Sequence, residues 1–200
     1  MSEIDTKSPL TRSERRKQQT HEAIKAATLE LLLECGYREI TISAITQKAD
    51  IGHGTFYLHF ADKDDAIWRV FREYTVSKDQ EAADVLDKFS HGEKEYQLLQ
   101  RYFTRVKPRL WLLRSLFGPN GCATLYQRYI DLLTQIFQQN VETGVYTIGE
   151  INVTPDFMAN YYIGAILRLV LWWSEDETRY TPEEMAHMFY EAYYRRPPPT

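Results

Sequence analysis

The sequence predicts an all-α fold, and three observations support that prediction. Apolar residues recur every three or four positions along most of the 200-residue chain, which is the period of an amphipathic helix. Threonine-proline pairs, which favour helix starts, precede two of these stretches. No segment shows a convincing alternation of apolar and polar residues, the pattern of a half-buried strand. We therefore expect about nine helices, short at the N-terminal end and longer in a C-terminal domain.

The first helix has both a start signal and a stop signal. Thr11 followed by Glu14 resembles a capping box, and Gly36 suits the residue just past a helix end. Between them runs a stripe of apolar side chains at helical spacing, namely Ile24, Ala27, Leu31, Leu32 and Cys35. This pattern predicts a helix over 12–35.

Two short helices follow, joined by a turn that contains glycines. Thr41 is a good N-cap for the first of them. Its residues expected to face inward are Ile42, Ile45 and Ala49. The turn covers 50–54, and Phe56 and Phe60, four positions apart, are expected to anchor the next helix in the core. A longer fourth helix is predicted to start after Asp62, with an apolar stripe of Ile67, Val70, Phe71 and Tyr74.

The rest of the chain reads as further helices. One stripe comprises Tyr96, Leu99, Phe103 and Val106, and Pro108 breaks it before a short segment that ends at Gly118. Another comprises Tyr126, Tyr129, Ile130, Leu133, Phe137 and Val141, and is stopped by Gly144. The last two helices are predicted to begin at Thr154-Pro155 and at Thr181-Pro182. The segment 146–153 is expected to be a loop.

These elements divide the chain into four segments. They are a flexible arm over 1–11, a three-helix unit over 12–61, a larger helical domain over 62–196 and a Pro-rich tail over 197–200. Charge differs between them, although the net charge of the chain is −4. Between Lys7 and Lys25 six basic residues face two acidic ones, whereas from Glu73 to Thr200 thirteen face seventeen. The N-terminal end is therefore expected to attract phosphates and the body to repel them.

Several classes of protein are not supported by the sequence. Cys35 and Cys122 lie far apart without a Cys/His cluster, which favours a reducing compartment and no metal site. The N-terminus lacks the apolar stretch of a secretory signal. The apolar run over 161–173 is interrupted by Arg168 and is shorter than the roughly 20 residues that span a bilayer. We expect a cytoplasmic protein with no membrane contact.

Catalysis is also not expected. The chain contains no GxGxxG, P-loop, GxSxG or HExxH motif. The polar segment with His91, Glu93 and Glu95 is interpreted as a loop. We expect neither enzymatic activity nor a cofactor.

The three short helices carry a residue pattern that resembles the TetR family of transcriptional regulators. The matching residues stand in the order and spacing of the family signature: Gly36, Tyr37, Ile40, Thr41, Ile42, Ile45, Ala49, Ile51, Gly54, Thr55, Tyr57, His59, Phe60 and Lys63. The resemblance covers about residues 15 to 70. It implies a helix-turn-helix DNA-binding domain, followed by a helical domain that binds an effector and dimerises.

The resemblance also implies which residues meet DNA. Thr41 would meet a phosphate at a helix N-terminus, and Lys63 a second phosphate. His53, Gly54 and Thr55 would open the recognition helix and approach base edges. The further candidates are Arg15, Arg16, Lys48, Gly52, Tyr57 and His59.

Four positions depart from the family pattern. Asp50 stands where Gly is common and puts a negative charge beside the recognition turn. Gly52 replaces a Ser and offers no hydroxyl. His53, in place of Lys, can donate only a single hydrogen bond. Thr46 replaces an Ala, which affects local packing. The element is therefore expected to carry less positive charge than its relatives.

A homodimer and an effector pocket are expected from the C-terminal helices. The dimer interface is assigned to ten residues of the last two helices: Met158, Tyr161, Tyr162, Ala165, Leu169, Trp172, Met185, Met188, Phe189 and Ala192. Gly164 permits close helix approach. An apolar or aromatic small molecule would be surrounded by Phe103, Trp111, Phe117, Tyr126, Tyr129 and Phe137. The predicted function is a repressor that such an effector releases from a palindromic DNA operator.

Plainer interpretations of the same residues stay open. The segment 12–17 fits a solvated helix face, and Tyr57 fits simple packing. The C-terminal stripes fit a monomeric core, and an aromatic stripe is more often core than pocket. The alternative function is a helical dimeric interaction or small-molecule-binding protein without specific DNA binding.

Overall fold

The structure is a computed structural model that describes residues 11–76, 91–143 and 153–194. These residues form nine α-helices and one 3-10 turn, with no strand among them. The helices are α1 (Arg12–Glu39), α2 (Ile42–Lys48), α3 (His53–Tyr57), α4 (Lys63–Val76), α5 (His91–Val106), α6 (Leu110–Phe117), α7 (Ala123–Glu142), α8 (Pro155–Trp173) and α9 (Pro182–Tyr194). The all-α prediction is confirmed.

The chain divides into two compact units between Arg72 and Glu73, a point inside α4. The predicted boundary between 61 and 62 falls earlier, at the start of α4. Residues 1–10 of the predicted arm over 1–11, the Gly144 stop, residues 146–152 of the predicted loop over 146–153 and the tail over 197–200 lie outside the described residues.

In the N-terminal unit, α1 begins at the predicted capping box. The Glu14 amide donates to Thr11 Oγ1 at 3.2 Å, and the Thr11 amide donates back to the Glu14 carboxylate at 2.8 Å. The predicted stop at Gly36 is a kink, since Gly36 has φ 75° and ψ 177° inside a segment that continues to Glu39. A positive φ is readily adopted by glycine and rarely by other residues.

The α2 and α3 helices pack through the residues predicted to face inward. Thr41 Oγ1 accepts the Ala44 amide at 3.1 Å and caps α2. Ile45, Phe56 and Phe60 are buried. The turn between the two helices places Asp50 at φ 52°, in the left-handed region.

The α4 helix begins at its predicted cap, and its predicted apolar stripe is buried except at one residue. Asp62 Oδ1 accepts the Asp65 amide at 2.7 Å. Ile67, Val70 and Phe71 are buried, but Tyr74 is 42% exposed and does not belong to the stripe. The guanidinium of Arg109 lies 4.7 Å from the centre of the Tyr74 ring, so the ring is held by a cation rather than by the core.

The C-terminal unit is a bundle in which α5 packs against α9, and α6, α7 and α8 pack against one another. The predicted stripe of α5 is buried throughout: Tyr96, Leu99, Phe103 and Val106. The prediction of a loop at His91 is wrong, because α5 begins there. Its apolar stripe, which starts at Tyr96, packs against α9 and favours the helix over a loop.

The helix starts predicted by threonine-proline pairs are both present. Thr154 Oγ1 accepts the Phe157 amide at 3.3 Å, and Thr181 Oγ1 accepts the Glu184 amide at 3.1 Å. After α6 the chain makes a tight turn at Gly121, where an added Cβ would collide with the Leu116 carbonyl oxygen. The neighbouring backbone there leaves no space for a side chain.

Candidate functional site

The outward face of α3 is exposed on the N-terminal unit. Phe56 and Phe60 hold one side of α3 in the core. Gly54 and Leu58 lie opposite them on a helical projection, and Leu58 is 77% exposed. Tyr57 is also exposed, so its predicted DNA-facing position is compatible with the structure.

The start of α3 is held by α2 rather than by a cap of its own. Gly52 is the N-cap and makes no side-chain hydrogen bond to α3. His53 Nε2 lies 3.2 Å from Ser43 Oγ, a contact between the two helices. A Cβ added at Gly54 would meet no other atom within 4 Å. The backbone at Gly54 is therefore open to approach from outside.

His59 lies at the end of the same segment and faces α1. Its ring is 5.7 Å from the ring of His21, and His21 stacks on Phe60 at 4.7 Å. Burial lowers the pKa of His59, and the nearby His21 and Lys17 lower it further. A lowered pKa keeps His59 neutral at pH 7, so it supports the helix and supplies no positive charge to a phosphate.

The two lysines predicted to contact phosphate have different surroundings. The Lys48 ammonium lies 2.7 Å from the Glu34 carboxylate and 3.1 Å from that of Glu30, and these bonds raise its pKa. Lys63 has its ammonium 4.4 Å from the centre of the Tyr37 ring. Lys48 thus pairs with two carboxylates of α1, whereas the Lys63 ammonium faces the Tyr37 ring, and both phosphate contacts stay predictions.

The remaining predicted DNA contacts are distributed over the same unit. Arg15 and Arg16 are exposed near the start of α1, and Thr41 is exposed at the start of α2. Thr55 is partly exposed. Sequence reasoning missed Leu58. Its position four residues after Gly54, on the side away from Phe56 and Phe60, was the signal that could have found it.

The C-terminal unit contains a small cavity of about 80 Å³ between α5, α7 and α8. Its walls are aliphatic and aromatic with one amide: Leu98, Leu99, Tyr102, Leu133, Ile136, Phe137, Asn140, Tyr162, Ile163 and Ile166. Of the six residues predicted to surround an effector, Phe137 alone lines this cavity. The other five do not line this cavity, and their contact with an effector stays a prediction.

Those five rings have other surroundings in the structure. Phe103 is buried against Trp173 at 6.0 Å and belongs to the core. Trp111 is 38% exposed. Phe117 stacks on Tyr129 at 5.0 Å and lies 5.9 Å from Tyr126, a cluster in which the rings fill the space between α6 and α7. These aromatic side chains at helical spacing thus pack against each other.

Two buried tyrosines lie beside the cavity. The hydroxyl of Tyr102, which lines it, is buried next to the hydroxyl of Tyr129. Burial raises the pKa of Tyr102, and the neighbouring Tyr129 adds to that effect. Burial likewise raises the pKa of Tyr129 to about 12. Both phenols therefore stay neutral near an apolar space.

The predicted dimer residues divide into two groups. Four of them are buried inside the chain itself and are corrected to core residues, namely Met158, Tyr162, Met185 and Phe189. The other six lie at least partly exposed: Tyr161, Ala165, Leu169, Trp172, Met188 and Ala192. Phe157, missed by sequence reasoning, is 60% exposed and lies one helical turn before Tyr161. Both are at the outer side of α8, with Gly164 in open space.

Metal-binding clusters and membrane-spanning helices are both absent from the described ranges. Within residues 11–76, 91–143 and 153–194, no group of three or more His, Cys, Asp or Glu side chains is placed to hold a metal ion. No helix in those ranges has the length and apolar character needed to cross a membrane.

Family models match both parts of the chain. Residues 24–67 match the model of bacterial regulatory proteins of the tetR family, and residues 93–193 match that of a transcriptional regulator C-terminal region. The chain belongs to the TetR family. The first match contains α2 and α3 and the second contains the cavity and the outer side of α8, so this TetR-family regulator has the expected two-part organisation.

Known relatives of this TetR-family chain include a fatty acid metabolism regulator protein from Bacillus subtilis (strain 168). It is 27% identical over 59% of this chain and 66% of its own length. The chain spans between 43% and 66% of the length of the curated relatives it matches.

Two solved structures share the fold. A TetR transcriptional regulator from Streptococcus agalactiae 2603V is 18% identical with a TM-score of 0.66, over 90% of this chain and 96% of that one. The transcriptional regulator FadR from Bacillus subtilis, solved in complex with stearoyl-CoA, is 20% identical with a TM-score of 0.59, over 86% and 96%.

Proposed function

We propose that this TetR-family regulator is a homodimeric repressor that reads a palindromic operator and is released by a small apolar effector. The observation that carries the proposal is the outward face of α3, exposed on a unit that matches the family's DNA-binding part. A helix presented in this way fits the major groove of DNA.

The DNA contacts are assigned by charge and exposure. Arg15, Arg16 and Lys63 supply positive charge for phosphates, and Thr41 a hydroxyl and an amide at the start of α2. The base edges are met by His53, Gly54, Thr55 and Tyr57, which lie at or near the outer side of α3. Lys48 is left out because Glu30 and Glu34 already neutralise its charge.

Dimerisation is assigned to the outer side of α8 and α9. One recognition helix reads only a few base pairs, and two must lie about 34 to 36 Å apart to enter successive major grooves. Phe157, Tyr161, Ala165 and Trp172 form an apolar ridge at helical spacing on α8. Met188 and Ala192 extend it on α9. Such a self-complementary patch suits a two-fold interface.

The effector is assigned to the cavity between α5, α7 and α8. Its aliphatic walls favour an apolar ligand, and Tyr102 and Asn140 add a hydroxyl and an amide to its lining. The Bacillus subtilis FadR was solved with stearoyl-CoA, which makes acyl-CoA esters the first probes. A volume of about 80 Å³ is small beside the roughly 300 to 1,000 Å³ of drug-sized sites, so a short chain fits without rearrangement.

Release requires that the effector prefer the conformation that does not bind DNA. A ligand with equal affinity for both conformations shifts nothing, however tightly it binds. Effector and operator must therefore weaken each other's binding reciprocally.

The salt dependence of DNA affinity tests the proposal against its alternative, an interaction protein without specific DNA binding. Charge reversal of Arg15, Arg16 and Lys63 together is expected to weaken DNA binding. It should also reduce the slope of log K against log salt concentration by about two to three. Arg128→Glu, at an exposed position of α7, is the matched control and should change neither. A slope that is unaffected by the triple variant favours the interaction protein.

A further inference from the structure

The residue that directly follows α3 is an exposed leucine, Leu58. Phe56 and Phe60 face the core, and Leu58, the C-cap of α3, lies opposite them on a helical projection with 77% of its surface exposed. Gly54, four residues earlier, has no side chain, and a Cβ added there would meet no other atom within 4 Å, so the backbone that precedes Leu58 is open.

The surrounding side chains offer no base contact with two hydrogen bonds. Between Gly52 and Leu58 there is no Arg, Lys, Asn or Gln, the residues that bind guanine or adenine with two hydrogen bonds. His53 contacts Ser43 Oγ at 3.2 Å through Nε2, which leaves one ring nitrogen for a single hydrogen bond. Thr55 and Tyr57 offer single hydroxyls, which discriminate weakly between bases.

The major groove offers one further feature that distinguishes a base, the 5-methyl group of thymine, and apolar side chains read it. The segment from Gly52 to Phe60 also carries no carboxylate that would repel the phosphates on either side. We propose that Leu58 selects thymine in each operator half-site by packing against its 5-methyl group. This inference rests on the proposed function, because it needs α3 in the major groove.

Uracil tests the inference, since it differs from thymine in DNA by the 5-methyl group alone. A duplex enriched by the wild-type protein from random DNA is prepared with uracil in place of thymine at one position of each half-site in turn. At the position that Leu58 reads, uracil is expected to weaken binding about fourfold per half-site, as for one buried methyl group. With both half-sites changed the loss is roughly fifteenfold on the same basis.

Two variants separate a thymine contact from a general loss of binding. Leu58→Ala should bind the thymine and uracil duplexes equally, at about the affinity of the wild type for uracil. Leu33→Ala is the matched control, because Leu33 is an exposed leucine of α1 at 47%, and it should keep the full sensitivity to uracil. Circular dichroism and size-exclusion chromatography confirm that both variants fold and assemble as the wild type does.

Three results would overturn the inference. The wild type could be insensitive to uracil at every position of the enriched duplex. Leu58→Ala could retain the preference for thymine. Leu58→Ala could instead change the oligomeric state without DNA, which would assign the leucine to a protein contact. If the wild type enriches no sequence at all, the proposed function fails first, and the two failures are thereby distinguishable.

Discussion

Lys48 on α2 donates a 2.7 Å hydrogen bond to the carboxylate of Glu34 on α1. Glu30, one turn earlier on α1, holds the same ammonium at 3.1 Å. The family resemblance makes Lys48 a candidate for a DNA phosphate, yet its ammonium already pairs with two carboxylates of α1. The hydrogen bond connects α2 to α1 within the N-terminal unit.

Neutralising Lys48 and Lys63 should therefore have different effects on DNA binding. Lys63→Gln is expected to lower the slope of log K against log salt by about one, since one phosphate contact is lost. Lys48→Gln should leave the slope unchanged. Fluorescence anisotropy with a labelled duplex across a salt series measures both. An equal fall in slope for the two variants would place Lys48 on the DNA after all.

Asp50 sits in a left-handed backbone conformation, φ 52°, next to the recognition helix. Asp50→Gly should stabilise the fold by about 0.5 to 1 kcal/mol, because glycine adopts this conformation without strain. Asp50→Asn keeps a residue that tolerates it and should change stability less. Both remove a negative charge near DNA, so both should raise affinity equally. Thermal unfolding and DNA titration separate the two effects, and a destabilised Asp50→Gly protein would contradict the backbone argument.

His59 gives the DNA-binding unit a pH-dependent stability. Its pKa in the folded chain is below the ordinary value of 6.5, chiefly through burial and then through His21 and Lys17. As the pH falls, the unfolded chain therefore takes up a proton before the folded chain does. The free energy of unfolding that His59 contributes above pH 6.5 is lost as the pH falls below that value. Unfolding monitored between about pH 7.5 and 5 should show this loss.

Substitution of His59 identifies the source of that loss. His59→Gln should shrink the decrease in stability on acidification. His187→Gln is the control, because His187 is exposed and lies 3.7 Å from Glu191; it should leave the His59 contribution in place. An acid-induced loss that is the same in wild type and His59→Gln would rule out His59 as its origin.

A substitution at Phe157 tests the proposed dimer surface. Phe157→Glu puts a charge on the outer side of α8, where the wild-type ring is 60% exposed, so the chain should fold normally and become monomeric. Light scattering coupled to size-exclusion chromatography measures the mass. Leu33→Glu, at an exposed site on α1, should remain dimeric. A dimeric Phe157→Glu protein would move the interface elsewhere.

Filling the cavity tests the effector site. Ile166→Phe should occupy the space between α5, α7 and α8 and abolish the heat of binding of butanoyl-, octanoyl- and stearoyl-CoA in calorimetry, while DNA affinity stays as in the wild type. Leu113→Phe adds the same bulk to a buried position of α6 away from the cavity. It should lower stability by about 1 to 3 kcal/mol, as overpacking does. Binding of any of the three esters to Ile166→Phe would exclude the cavity as their site.

The local features of this fold could be predicted from the sequence, because their causes are local. Thr11, Thr41 and Thr181 each cap a helix through an amide three residues later. Phe56 and Phe60 lie in the core as their spacing indicates. The kink at Gly36 follows from the conformational freedom of glycine.

The errors arise where a helix is apolar on more than one side or where a partner is distant in sequence. On α8, Tyr161 and Tyr162 are neighbours with the same side chain, but the first is exposed and the second is buried. Periodicity does not tell which of two apolar faces meets the core. Neither the pairing of Lys48 with Glu34, fourteen residues away, nor the contact of Phe103 with Trp173 is visible in a local pattern.

Selection of bound sequences from random DNA tests the central claim most directly. A dimer that presents two copies of α3 should enrich a palindrome whose half-sites lie about one helical turn, or a multiple of it, apart. The spacing reports the fold, the dimer and the function in one result. Failure to enrich any sequence at low salt, where phosphate contacts are strongest, would contradict the account.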